Sequence, residues 1–198
     1  DRKDLFENII QNLHKAIRFQ FKEKDLLPAD LLNQNHEYVD FKQLNRFRLE
    51  LIESMNSRCD LLPELYFMGK KSLDLLVGSE LAMQRRANLS IQQPGDSSSL
   101  LDIHSDVWSG NSPYEVVFWV PLVNCYKSKS FYLLPKNFSQ QVIDQWGEYE
   151  KLSSEEFYKK VEKDVVWPEL ETGKAVIFSH SIFHGNRVNH EAETRWSI

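Results

Sequence analysis

The stretch Leu101-Asp102-Ile103-His104-Ser105-Asp106 decides how this chain is read, because it sets an imidazole and a carboxylate two residues apart at the end of an apolar-polar run. In an extended strand, residues i and i+2 point to the same side, so His104 and Asp106 converge on one point. A second histidine on a neighbouring strand would complete a metal site. The chain supplies one in Phe178-Ser179-His180-Ser181-Ile182-Phe183-His184-Gly185-Asn186. Two histidines and one carboxylate on one face, with three positions left open, suit non-haem Fe(II) and its reaction with dioxygen. Beyond them, Thr194-Arg195-Trp196-Ser197 alternates in the manner of a strand. Arg195 and Ser197 share a face there, and a planar guanidinium beside a hydroxyl is a good receptor for a carboxylate.

Working outward from that stretch, the hydrophobic period changes near Arg86. Upstream it is helical: Leu5, Ile9, Ile10, Leu13 and Ile17 mark a helix over residues 4–20, and Phe47, Leu51, Ile52 and Met55 mark another over 45–58. A third helix is expected from Pro63 to Val77, ended by Gly78, while Pro28 and Asn33-Gln34-Asn35-His36 read as turn or loop. From Arg86 the period is two, with Asn88, Ser90 and Gln92 alternating against Leu89 and Ile91. Val116–Val120, Ser130–Leu134 and Ala175–Phe178 are further strands, and an insertion with helical patterns at 138–146 and 153–163 precedes the distal histidine. Short strands joined by Gly, Pro and Ser turns fit a mainly β fold with added helices, a double-stranded β-helix of the jelly-roll, cupin-like form. One domain over 1–198 is expected, with residues 1–80 as a helical buttress and 86–198 as a jelly-roll core carrying the insertion at about 137–165.

A chain of 198 residues buries a substantial core without disulfides or structural metal. The net charge of −5 and the lack of a basic stripe argue against nucleic acid bound through its phosphates. Cys59 and Cys125 stand alone, which suggests no disulfide framework and favours a reducing, cytoplasmic setting. The apolar run Val116–Val123, with Pro121 inside it, is far too short to span a membrane, so no membrane partner is expected. The opening Asp1-Arg2-Lys3-Asp4 reads as no secretory signal. The missing initial methionine and the stop at Ile198, within a strand pattern, read as trimmed ends.

Taken in order, His104-x-Asp106, His184 with Gly185 and Asn186, and Arg195-x-Ser197 resemble the Fe(II)/2-oxoglutarate-dependent oxygenases, and among them the phytanoyl-CoA dioxygenase-like branch. The resemblance covers roughly residues 86 to 198. It implies that His104, Asp106 and His184 hold Fe(II), and that Arg195, aided by Ser197, pairs with the far carboxylate of 2-oxoglutarate as cosubstrate. Trp119 lies where the family often has a tryptophan lining the cosubstrate pocket, although a core tryptophan has the same signature. Asn186 stands where the family more often has serine, and its amide is a further cosubstrate contact. Asp106, present where halogenating members lack the carboxylate, implies hydroxylation.

The polar loop after Asp106 brings Trp108, Asn111 and Tyr114 forward as substrate-binding candidates, since such loops usually carry substrate contacts. The run from His104 to Tyr114 is similar to bacterial members encoded among carbohydrate-synthesis genes. That implies a small polar, sugar-derived substrate besides dioxygen. Two other readings remain at this level: a cupin-like metal enzyme that does not use 2-oxoglutarate, and a jelly-roll module that binds carbohydrate or protein without catalysis. His180 reads as structural or adjacent to the ligands, His190 as solvent-exposed, and His14 and His36 as surface residues. Arg195 has an alternative partner in Glu191 or Glu193.

Overall fold

A computed structural model describes residues 2–21, 27 and 29–198, so the turn expected at Pro28 lies outside the described residues. Three helices come first, α1 (Lys3–Gln20), α2 (Phe41–Asn56) and α3 (Leu61–Val77). Each buries one stripe at helical spacing, such as Ile9, Leu13 and Ile17 on α1 and Leu44, Phe47, Leu51 and Met55 on α2. α2 starts earlier than its apolar period because Asp40 caps it, accepting a hydrogen bond from the Lys42 N–H. α3 likewise begins at Leu61, before Pro63, since proline is tolerated in a first turn where N–H groups lack intrahelical partners. Gly78 ends it at a positive φ of 86°.

Six short strands follow: β1 (Ser90–Gln92), β2 (Val116–Trp119), β3 (Tyr132–Leu133), β4 (Val176–Ser179), β5 (His184–Gly185) and β6 (Arg195–Ser197). They form three antiparallel pairs, β1 with β6, β2 with β4 and β3 with β5. Two insertion helices lie between β3 and β4: α4 (Lys136–Asp144) and α5 (Ser154–Val161), the latter opened by a capping box of Ser153 and Glu156. The architecture is therefore helical with small antiparallel sheets.

Isolated pairings extend these ladders. Beyond β2, the Val120 and Ile198 backbones exchange hydrogen bonds of 2.8 and 2.9 Å, and Leu122 N–H donates to the Trp196 carbonyl, so β6 lies between β1 and the continuation of β2. On the other side His104 pairs with His184, and Leu133 pairs with Val166. With segments numbered in chain order, the neighbours run 1-8-3-6 in one set and 2-7-4-5 in the other, segment 2 being His104 and segment 5 being Val166.

Each set has its own helical cover. Ile91, Leu122 and Trp196 pack with the buried stripes of α1 and α2 in one core, and Trp196 donates its indole N–H to the Leu32 carbonyl. Ile103, Tyr132 and Phe183 pack with Val142 of α4 and Phe157 and Val161 of α5 in a second core. Gly69 of α3 brings the helix so close to β2 that an added Cβ would meet the Phe118 ring at 2.8 Å. Since Ile91, Trp196 and Phe118 face helices, strand alternation turns Ser90, Gln92, Arg195, Ser197 and Trp119 the other way, onto an inner wall.

Candidate metal centre

His104 and His184 sit directly opposite each other in an antiparallel pairing, each backbone N–H donating to the other's carbonyl at 3.0 and 2.9 Å. Their side chains emerge on one face as cross-strand neighbours, with ring centroids 4.3 Å apart. The expected position of Asp106 differs in detail. It does not continue the strand but opens a 3-10 turn, Asp106–Ser109, after an extended Ser105. That one extended residue is enough to send Asp106 to the same side as His104, and the Ser105 hydroxyl, on the opposite side, donates to the His180 carbonyl at 2.8 Å.

The three side chains come together: one ligand atom from each of His104, Asp106 and His184 lies within 4.8 Å of the other two. His104 Nε2 is 3.7 Å from Asp106 Oδ1 and His184 Nε2 is 3.6 Å from Asp106 Oδ2. The opposite ring nitrogens are both committed, since His104 Nδ1 lies 2.7 Å from the Asp102 carbonyl and His184 Nδ1 lies 2.9 Å from the Ile182 carbonyl. A carbonyl only accepts, so each Nδ1 carries the hydrogen and each Nε2 keeps its lone pair turned toward the carboxylate. Burial lowers the pKa of His184 from its ordinary value, favouring the neutral form that a metal needs.

Arg195 lies on the inner wall and is 3% exposed. Its Nη1 donates to the Ser130 carbonyl at 3.0 Å and its Nη2 to the Ser90 hydroxyl at 3.1 Å, while Nε has no partner. Neither nearby glutamate serves it: Glu191 accepts from Ser128, and Glu193 takes Lys129 at 2.6 Å. Among the described residues no carboxylate pairs with Arg195, and burial lowers its pKa to about 10, leaving it a cation at neutral pH. From Ser130 a run of aromatic rings leads to the histidines: Phe131 and Phe178 stack at 5.6 Å, and Phe178 meets His184 at 5.0 Å. Trp119 joins this run through Phe131 at 4.7 Å. Ser197 is buried on the same face of β6 as Arg195.

The remaining candidates differ in their surroundings. The Asn186 amide is occupied by backbone, its oxygen accepting from Leu101 N–H at 2.6 Å and its nitrogen donating to the Ser99 carbonyl at 3.2 Å, so it anchors the segment leading to His104. Trp108 is half exposed and packs on Trp146 and Phe183, with centroids 5.0 and 5.1 Å away, which ties the Asp106 turn to the insertion. Asn111 and Tyr114 are exposed on the loop that follows. His190 is exposed as expected, whereas His36 is half-buried with Nδ1 3.1 Å from the Thr194 hydroxyl. Ser90 and the Ser130 carbonyl, which hold Arg195, were not singled out as site residues. The polar alternation of Asn88, Ser90 and Gln92 on a strand whose other face meets helices was the available signal.

No family model matches the chain, and no curated protein matches it. Solved structures do. The nickel complex of the non-heme monooxygenase ThoJ aligns with a TM-score of 0.51 at 15% identity, covering 98% of this chain and 66% of that one. ThoJ without metal gives 0.52 at 14% identity. EvdMO1 gives 0.53 at 15% identity, with 98% of this chain and 42% of that one covered. The chain thus spans about two thirds of the length of ThoJ and less than half that of EvdMO1. At such identities the likeness concerns the fold alone, shared with structures of non-heme monooxygenases, and His104, Asp106 and His184 form a cluster with the donor set of a metal site.

Proposed function

We propose that this protein is a non-haem Fe(II)- and 2-oxoglutarate-dependent dioxygenase that hydroxylates a small polar, sugar-derived substrate. The observation that carries the reading is a two-histidine, one-carboxylate cluster joined through the rings of Phe178 and Phe131 to a buried arginine that lacks a counter-ion among the described residues. The 1-8-3-6 and 2-7-4-5 neighbour orders support a jelly roll, whose two sheets would enclose the inner wall. His104, Asp106 and His184 would hold the iron, and the free Nε2 lone pairs fit that task. Arg195 would take the far carboxylate of 2-oxoglutarate, with Ser197 beside it. A buried cation held only by neutral acceptors, with its Nε unpaired, fits an anionic ligand.

Bound together, the metal and the keto acid would supply the activation of dioxygen, one oxygen atom going into the C–H bond as hydroxyl and the other into succinate as the keto acid loses CO2. The chain's own residues do the rest. The Asp102 and Ile182 carbonyls fix both imidazoles in the ligating tautomer, Phe131 and Phe178 keep the wall between arginine and histidines apolar, and Trp119 borders the cosubstrate. Trp108, Asn111 and Tyr114, on the loop after Asp106, are the proposed substrate contacts. An anaerobic titration of Fe(II)-loaded protein with 2-oxoglutarate tests this, since a chelated keto acid gives a charge-transfer absorption. Iron bound without that absorption would leave a cupin-like enzyme that does not use 2-oxoglutarate, and no iron bound at all would leave a binding module.

A further inference from the structure

Four residues before the distal histidine stands a histidine that the three-ligand cluster leaves unused. His180 lies in the tight turn between β4 and β5, where Ile182 N–H donates to the Ser179 carbonyl at 3.0 Å and Ser181 N–H to the Ser179 hydroxyl at 3.2 Å. Its backbone is fastened at two more points. The Ser105 hydroxyl donates to its carbonyl at 2.8 Å, and its own N–H reaches the Glu115 carbonyl at 3.3 Å. The backbone of His180 is therefore tied on one side to the residue between His104 and Asp106, and on the other to the approach to β2.

In that setting Nδ1 of His180 is buried and makes no hydrogen bond. It faces two carboxylates, Asp106 Oδ2 at 3.8 Å and Glu115 Oε2 at 3.7 Å. A ring nitrogen placed between two acceptors has no use for a lone pair, so the tautomer with hydrogen on Nδ1 is favoured. The two acceptors are not equal. The Glu115 side chain is 55% exposed and hydrated, whereas that of Asp106 is 21% exposed, so a hydrogen bond to Asp106 meets less competition from water.

We propose that His180 is a positioning residue for the metal centre, its Nδ1–H fixing the rotation of the Asp106 carboxylate by taking one oxygen and leaving the other to the metal. This rests on the reading of His104, Asp106 and His184 as metal ligands. A ligating carboxylate is commonly held by an outer hydrogen bond, and loss of such a partner costs about 10–100-fold in metal affinity. Asparagine places an amide N–H near where Nδ1 lies, whereas glutamine places one nearer to Nε2. The identity of the replacement therefore separates positioning from mere bulk.

The test is calorimetric titration of the metal-free protein with Co(II), together with the visible absorption of the Co(II) form. Wild type and His180→Asn should bind alike and share one spectrum. His180→Phe and His180→Gln should bind about 10–100-fold more weakly with a changed spectrum. Circular dichroism of each metal-free variant checks folding, and if His180→Phe does not fold, the comparison of Asn with Gln decides. Equal affinities and spectra for the Asn and Gln variants would overturn the proposal. Wild type that binds no Co(II) would instead remove the metal-centre reading itself, an outcome separate from any difference between variants.

Discussion

At the histidine end of the site the backbone groups and both Nδ1 atoms are committed and the Nε2 atoms are turned toward one carboxylate, whereas at the arginine end a buried charge is left short of partners. His104 and His184 are locked by paired backbone hydrogen bonds, and their Nδ1 atoms are held by carbonyls of their own chain segments. Arg195 is more deeply buried than either histidine, yet its Nε is unpaired and no carboxylate faces it among the described residues. The first end is organised by the fold, and the second is organised for something the fold does not contain. A ligand anion arriving at Arg195 therefore relieves a cost that folding alone leaves standing.

The strongest way to break the comparison is at the ordered end. Asp106→Ala removes one of the three proposed ligands and its charge while leaving the His104–His184 backbone pairing intact. Metal affinity should fall by more than the roughly 100-fold that loss of an outer partner costs. Calorimetric titration of wild type and variant with Fe(II) under anaerobic conditions measures it, and retained affinity would dismiss Asp106 as a ligand.

At the other end the expected effect is smaller and more selective. Arg195→Lys keeps a charge but loses the planar fork, so 2-oxoglutarate affinity should drop while Fe(II) affinity stays. One charge-assisted bond lost in a buried place is worth roughly 1.5–3 kcal/mol, about tenfold to a hundredfold. Superimposable 2-oxoglutarate titrations of the two iron-loaded proteins would rule out the clamp. If instead both iron and 2-oxoglutarate binding weakened together, the two ends would not be separable as argued.

Much of the arginine end was legible in the sequence because strand periodicity is strict. A period of two puts Arg195 and Ser197 on one face and Trp196 on the other, and the pattern around Ser90 does the same. The helices were legible through their apolar stripes, but their starts were not, because α2 depends on a single capping contact at Asp40. The 3-10 turn at Asp106 escaped a strand reading for a local reason: Asp106 accepts hydrogen bonds through its backbone carbonyl from the turn it opens, including Gly110 at a φ of 90°. The backbone contacts of Asn186 were not legible, because an amide serves cosubstrate and backbone equally well on paper. They depend on where the fold brings the Leu101 and Ser99 backbone.

A third effect, smaller again, concerns protons. Burial lowers the pKa of His184, so between its folded value and the ordinary 6.5 the unfolded chain binds more protons than the folded one. Stability of the metal-free protein is then full above about 6.5 and is lost as pH falls through the folded value, with a slope of at most about 1.4 kcal/mol per pH unit. His14, half-buried on α1, shifts in the same direction, so the informative quantity is the difference between wild type and His184→Asn. Urea unfolding at several pH values should give a shallower acid slope for the variant, and parallel slopes would mean that His184 titrates normally.

The smallest effect on the scaffold is expected beyond both ends, in the loop after Asp106. Tyr114 is 90% exposed, while its neighbour Trp108 is 50% exposed and packs on Trp146 and Phe183. Truncating Trp108 removes apolar contacts to the insertion and should lower thermal stability. Truncating Tyr114 touches none of them and should change stability by no more than about 0.5 kcal/mol. The loop is nonetheless tethered to the metal end, since the Asn111 N–H reaches the Asp106 carbonyl at 3.4 Å. An exposed aromatic ring on a loop that departs from the metal cluster and is free of the core is suited to contact with a molecule from solution. Tyr114→Ala should therefore lower kcat/KM for the primary substrate, read as succinate formed above the substrate-free background, while melting temperature and 2-oxoglutarate titration stay as in wild type. Unchanged kcat/KM would take Tyr114 out of the substrate set, and a lowered melting temperature would show that the loop belongs to the packed insertion.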